Sequence, residues 1–544
     1  MTMNALTPAA AELSDPVHGW SEPDRFWTLA NTSEVTPGIL TALDWSVWDN
    51  FELAVRAAWC QLGIMQPDEV HLPSDPNLRQ TYVFYGRHAL NVDYVRDFMG
   101  AVPGASPNDF ERDVCGTVRP DMQDGKGSPR RVPAMLVKLP RVFRRNSSEL
   151  ERSYSEMVDW WRRDVLHGVG SDDPLADLHE AARRFRETMT LHIRTRTFPQ
   201  GVQGALVGMA DKAGRGDLSL TVFSAYGEVS ESALADDMWA LGREQLTMAE
   251  FLERHGYYGP DEGMVWTSSW REDQTPLLAL ARSMAARPTH ELGSRATSAR
   301  EARLDAEAQL LATMGPLKRK LARFLFSQAG QQVRNLELGK ASYHIALDGC
   351  RAAARRVGAD LVARGFVDDP EDVFFLTIDE LGAPPTHVRE LVEFRRARRL
   401  EYHSVELPMT FYGVPEPVPA PEYDPNITEL VGIGASGGVV EGRARLAGDA
   451  DEDELFEDGD ILVCRITNPS WTPLFTLVEA VVIDIGSTAS HGAIVARELG
   501  VPCVINTGNG TRAIRTGDRI RVDGTAGIVT ILERFADAAD RSDL

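Results

Sequence analysis

A chain of 544 residues with 43% hydrophobic and 25% charged residues is too long for one hydrophobic core and has the make-up of a folded, multidomain protein. Its 57 Lys plus Arg against 80 Asp plus Glu give a net charge of −23, which repels nucleic acid and anionic membranes and excludes a polynucleotide substrate. Five cysteines scattered without a CxxC spacing exclude a disulfide framework and a zinc site. No basic-then-apolar leader opens the chain and no run of about eighteen apolar residues occurs, so the expectation is a cytoplasmic protein with no membrane partner.

In chain order, Phe26 to Leu90 mixes a Trp-rich amphipathic stretch with a strand-like Thr81–Tyr85. Pro120–Val132 is polar and rich in Gly and Pro, a loop by composition. Helices are expected over Asp173–Thr190 and Asp236–Arg254. From Pro316 the pattern is helical again, with Leu317, Leu321, Phe324 and Leu325 spaced as one buried face. A second amphipathic segment, Ala341–Ala363, ends at Gly365, a C′ glycine. Asp369-Pro370-Glu371-Asp372 then has the cap, early proline and acids of a new helix start.

Gly413–Asn426 holds five prolines in fourteen residues and reads as an extended linker, because proline suits neither helix nor sheet interior. Beyond it, Val439–Leu446, Ile461–Arg465, Ala480–Ile485, Cys503–Ile505, Arg519–Asp523 and Ile528–Leu532 read as strands. Thr472–Val478 and His491–Leu499 read as helices. The expected architecture is a mostly α-helical N-terminal domain (1–412), a Pro-rich linker (413–428), a C-terminal α/β domain (429–535) and a short tail (536–544).

The most informative run is Gly486 to Pro502. A buried-strand pattern, AVVIDI, turns through small polar residues into a helix that closes at Gly500. Ser490 takes the N-cap and His491 the first turn, where free backbone N–H groups and the positive dipole end favour a phosphoryl group's charge. Neutral imidazole is a competent nucleophile near neutral pH. Thr488 or Ser490 supplies any hydroxyl that orients it. Arg497 either steadies phosphoryl oxygens or pairs with Glu498.

This run resembles the phosphohistidine signature of the phosphoenolpyruvate-utilising enzymes, a family that includes rifampicin phosphotransferase and phenylphosphate synthase. The likeness continues through Ile433–Val439 with Glu441-Gly442, Thr467–Phe475, and Gly517-Asp518 with Val522-Asp523-Gly524. This chain has Gly486-Ser487 where the family often pairs glycines, and Ala489 where it often has Thr or Leu. The resemblance implies a swivelling domain that carries a phosphoryl group on His491.

More loosely, Phe26–Asn31, Gly86-Arg87, Trp270–Asp273 and Leu361–Thr377 resemble the acceptor-side domain of rifampicin phosphotransferase. Gly256-Tyr257-Tyr258-Gly259 stands where that family often has Gly-His-Arg-Gly, which implies a different acceptor. No GxxxxGK[ST] motif occurs, and Gly125-Lys126-Gly127-Ser128 reads as a solvated surface loop. The resemblance therefore implies that ATP and its Mg (or Mn) are bound by a separate ATP-grasp partner subunit, as in a split aryl phosphate synthase. The expected reaction passes the phosphoryl group to a phenol or cresol, giving aryl phosphate, AMP and phosphate. A rifamycin-type antibiotic phosphotransferase subunit, or a phosphocarrier with no acceptor of its own, stand as alternatives.

A phenol's pKa near 10 calls for a base or cation beside its oxygen. The candidates upstream are His88, His255, Arg271, Arg334, Lys340 and His344. Lys340 and His344 share a helix face at i,i+4 spacing.

Overall fold

The computed structural model describes residues 13–535, apart from 103–104, 126, 128, 219–220, 224–225, 227–229, 286–288, 420–423, 448–458, 468–470 and 487–489. Thr488 and the expected 536–544 tail lie outside the described residues, as do Lys126 and Ser128 of the Gly125–Ser128 loop.

The N-terminal body begins with β1 (Phe26–Thr28), α1 (Thr32–Val35) and the buried, Trp-rich α2 (Ala42–Leu62), which starts on a Thr41/Asp44 capping box. The hairpin β2 (Thr81–Phe84) and β3 (Arg87–Asn91) follows, and then α3 (Val92–Ala101) and α4 (Pro107–Cys115). Long helices α5 (Val132–Trp160) and α6 (Pro174–Lys212) come next, with shorter α7 (Ser230–Gly242), α8 (Met248–His255), α9 (Thr275–Ala285) and α10 (Thr289–Ala312). The 48-residue α11 (Pro316–Ala363) runs through the middle of the body, and α12 (Ile378–Gly382) and α13 (Val388–His403) close it. Strand β4 (Thr410–Tyr412) returns to pair with β1, completing a four-stranded antiparallel sheet in the order β2-β3-β1-β4.

Several expectations are corrected here. Pro316–Gly365 is one helix, not two, and it stops at Gly365 in the left-handed conformation (φ 77°). Leu317, Leu321 and Phe324 are exposed. The buried side is instead Ala322, Phe326 and Ala329, which pack with Leu206, Ala210 and Leu310. Leu325, the fourth residue of the stripe chosen from spacing, is half-buried and packs against this cluster, while the other three face solvent. The helix expected over Asp173–Thr190 continues to Lys212, because its far half packs on α11. Asp236–Arg254 breaks into α7 and α8 where Thr247 makes a fresh capping box with Glu250. Asp369–Asp372 starts a 3-10 turn rather than an α-helix. The Pro-rich segment is partly pinned: Gly413 N–H donates to the Arg25 carbonyl, and Val418 bridges Glu406.

The C-terminal domain is one eight-stranded mixed sheet. It comprises β5 (Glu429–Val431), β6 (Ile433–Ser436), β7 (Val439–Ala447), β8 (Asp460–Cys464), β9 (Ala480–Ile483), β10 (Cys503–Ile505), β11 (Arg519–Asp523) and β12 (Ile528–Glu533), in the order β5-β12-β11-β7-β8-β9-β10-β6. Its centre, β7-β8-β9-β10, is parallel and crossed by α14 (Thr472–Phe475) and α15 (His491–Leu499), with α16 (Gly510–Ala513) at one end. The fully buried runs DILVC and AVVI are what a parallel strand covered on both faces requires. β5 and β6 went unread in the sequence because they are short edge strands.

The segment from α14 serves two cores. Phe475 and Val478 face inward to their own domain, whereas Leu474 and Leu477 insert among the side chains of the body beside α7 and α9. Leu477 is only 1% exposed. Replacing it with Asp should free the domain from the body, so that protease cleaves the 413–428 segment several-fold faster while Leu477→Met stays near wild type. Equal cleavage of all three proteins would rule out this plug as the contact that docks the domain.

Candidate functional site

His491 opens α15, beyond the connection that follows β9, on the carboxyl edge of a parallel sheet where open α/β sheets bind ligands. Three local devices hold it there. Ser490, in extended conformation, accepts from the Ala493 N–H at 3.4 Å and caps the helix. Asp484, just past β9, accepts from Thr507 Oγ1 at 2.6 Å and from the Thr511 N–H at 3.0 Å, fixing the strand's end. Gly492 packs where a Cβ would meet Thr467 and Ile483 within 3 Å, so no larger residue fits beside the histidine.

Across the interface, Lys340 of α11 places its Nζ 2.8 Å from His491 Nδ1. A protonated amine can only donate, so Nδ1 is the acceptor in this contact. The structure thus brings two of the sequence-derived candidates together across 151 residues of chain.

Of the remaining candidates, His88 lines an aromatic cavity of the body and the others sit apart from it. His344, one turn beyond Lys340, is buried with its Nδ1 2.7 Å from Glu262 Oε2. Burial lowers its pKa and Glu262 opposes the shift. His88 sits among Trp45, Trp48 and Phe51, and burial pulls its pKa down to about 3. His255 pairs with Asp237 at 2.9 Å and is also lowered by burial. Arg271 binds the buried Asp348 and Glu272; burial opposes its charge but the two carboxylates raise its pKa. Arg334 is exposed and donates to Gln331. Arg497 lies six residues past His491, about 9 Å along the helix, and donates to the Ala435 carbonyl at 3.3 Å rather than toward the histidine.

Beside the Lys340–His491 contact, the body opens a cavity of about 390 Å³ lined by Trp48, Phe51, Trp59, Phe98, Phe110 and Tyr343 among others. Trp59 and Phe98 stack at 3.6 Å on its wall. Tyr343 follows Lys340 by one helical turn, and burial pushes its hydroxyl pKa up to about 12. His192 and Arg196, four residues apart on α6, also line the space. The sequence reading missed both because it ended their helix at Thr190. A second cavity of about 370 Å³ lies between body and C-terminal domain, with Asn31, Asp113, Arg465, Gly486 and Arg512 on its walls. Asn31, in left-handed conformation (φ 66°), borders both cavities.

Among the described residues, no group of three or more His, Cys, Asp or Glu side chains could hold a metal ion, and no helix is long and apolar enough to cross a membrane.

His88 makes a pH prediction possible. With its folded pKa below the unfolded value near 6.5, its contribution to stability is whole above pH 6.5 and is lost as pH falls toward 3. His88→Gln should flatten the melting temperature against pH between 6.5 and 4. An unchanged slope in thermal melts would refute the assignment.

Comparison with known proteins adds two matches. Residues 456–527 match the family model described as PEP-utilising enzyme, mobile domain, and residues 208–336 match the rifampicin phosphotransferase fourth domain. The uncharacterised phosphotransferase YvkC of Bacillus subtilis is 36% identical over 213 residues, covering 36% of this chain and 26% of the relative. Rifampicin phosphotransferase of a Streptomyces species is 40% identical over 188 residues, covering 34% of this chain and 22% of its own length. Chondramide synthase of Chondromyces crocatus is 25% identical over 574 aligned residues, covering 93% of this chain and 14% of its own length. The chain spans about a quarter of the first two relatives and less of the third.

Proposed function

The chain carries the mobile domain of the PEP-utilising enzyme family, and from that premise we propose that it is the carrier-and-acceptor part of a phosphotransferase. His491 takes a phosphoryl group derived from ATP on Nε2 and delivers it to a hydroxyl acceptor, a phenol or cresol, held in the aromatic cavity. Loading belongs to an ATP-grasp partner that binds ATP with Mg (or Mn), and the whole cycle yields aryl phosphate, AMP and phosphate.

One observation carries the reading: Lys340 Nζ lies 2.8 Å from His491 Nδ1. An imidazole phosphorylated on Nε2 keeps a lone pair on Nδ1, and the lysine N–H donates to it. As the Nε2–P bond breaks and the acceptor's O–P bond forms, the ring electrons return to the imidazole. A proton from Lys340 then makes the leaving group a neutral imidazole rather than an anion. The proton lost by the acceptor hydroxyl balances that transfer. Such assistance contributes about 10²- to 10⁴-fold, and in-line positioning supplies most of the rest.

Two further features support the acceptor side. The cavity is apolar, aromatic and near the small end of ligand sites, which suits a phenol better than a rifamycin macrocycle. The chondramide synthase alignment spans nearly the whole chain, so body and mobile domain recur in one relative.

Incubation with labelled ATP and a candidate ATP-grasp partner should label the wild-type chain and leave His491→Ala unlabelled. Label on the alanine variant would remove the histidine from the scheme, and label without a partner would remove the two-protein arrangement. Lys340→Ala should accept label normally yet pass it to phenol roughly a hundred-fold more slowly. Unimpaired transfer in that variant would show that Lys340 only docks the domain.

A further inference from the structure

Resting on that reading, we propose that the natural acceptor is an anionic one, a hydroxylated aromatic carboxylate whose carboxyl group is held by Arg196. Arg196 lines the aromatic cavity with His192 and Tyr343, and its side chain is exposed at the rim. Among the described residues it makes no hydrogen bond or ion pair. The other arginines around this end of the body are committed. Arg56 pairs with Glu52 at 2.6 Å, Arg96 with Glu111 at 2.6 Å, Arg119 with Asp93 at 2.7 Å, and Arg194 with Glu149 at 2.7 Å.

The charged and titratable groups facing Arg196 leave its charge available. On its own helix, His192 is pushed well below its ordinary range, first by burial and then by Arg196 itself. Tyr343 on α11 is held neutral by burial. Asp113 on α4 has its pKa raised by burial, with Arg196 pulling the other way, but it lies beyond ion-pair distance and lines the other cavity. An apolar cavity with one free guanidinium is the arrangement that orients an aromatic acid, because the planar fork pairs with a carboxylate through two N–H donors. Lys340 and His491 stand next to the cavity rather than on its wall, so Arg196 addresses the molecule inside it and Lys340 addresses the phosphohistidine.

The test compares 4-hydroxybenzoate with phenol in two measurements. In equilibrium binding to the unphosphorylated chain, wild type should hold hydroxybenzoate roughly ten- to a hundred-fold more tightly than phenol. Arg196→Ala should abolish that difference, and Arg196→Lys should restore part of it. In transfer from labelled chain, Arg196→Ala should raise KM for hydroxybenzoate by a similar factor, with kcat and the phenol KM little changed. Equal binding of the two compounds by wild type would overturn the proposal. So would an equal loss of transfer to both in Arg196→Ala, which would put the arginine on the phosphoryl group. Should His491 never take label, the phosphotransferase reading fails by itself, while the binding measurement still decides whether Arg196 recognises a carboxylate.

Discussion

The close antiparallel packing of α6 against α11 sets everything else at the site. Phe185 meets Tyr343 edge-on at 6.3 Å, and His192 meets Tyr343 at 5.2 Å. Between these levels Gly339 presents bare backbone to His192; a methyl group there would come within 3.0 Å of the imidazole. With that approach allowed, Lys340 projects toward the mobile domain while His192 and Arg196 turn to the cavity. A side chain at 339 would crowd His192, which would have to give by a few tenths of an ångström at the level where Lys340 leaves the helix.

On the proposed reading the C-terminal domain is a carrier that has to leave its station as well as reach it, which limits how tightly it can dock. The contact between body and C-terminal domain includes Leu474 and Leu477 of the α14 segment, packing of α10 against α15, and an Arg465–Glu406 ion pair at 3.6 Å. Leu474 and Leu477 bury apolar surface in the body, worth a few kcal/mol at about 25 cal/mol per Å² before the ordering cost of docking is subtracted. Lys340 adds one polar contact at 2.8 Å, which contributes about 1 kcal/mol in a half-buried setting. The core of the mobile domain does not depend on these groups: Phe475, Val478, Val481 and Ile483 pack among themselves on the other side of the same segment. On the proposed reading the domain undocks whole, with the Pro-rich stretch between β4 and β5 as its tether.

The mobile domain was legible in the sequence because its signals are local. Buried parallel strands leave unbroken apolar runs, and Ser490 and Gly500 mark both ends of α15, so helix and histidine position read directly from the chain. The body was less legible for an equally physical reason. Which stripe of α11 is buried depends on the helices around it, and the apolar Leu317–Phe324 stripe faces solvent. The continuation of α6 past Thr190 depends on its packing against α11, which overrides a stretch of β-branched residues. Lys340 was visible as a charged residue on a helix face, but its partner, 151 residues away, was not. The cavity is assembled from α2, β2, β3, α3, α4, α6 and α11, so no window of sequence contains it.

Phosphoryl transfer to an aromatic hydroxyl competes with hydrolysis, because water is the smaller and more abundant nucleophile. The arrangement around His491 bears on that competition through charge as much as through shape. His88 and His192, which line the cavity, are both pushed by burial toward the neutral form, so they add little positive charge to it. On the proposed reading, Lys340 at the ring and Arg196 at the rim supply positive charge. A phenolic acceptor entering the cavity would, on that reading, meet an aromatic wall that favours its ring. Selectivity for the acceptor over water, on the same reading, comes from filling that cavity with the aromatic ring that carries the hydroxyl.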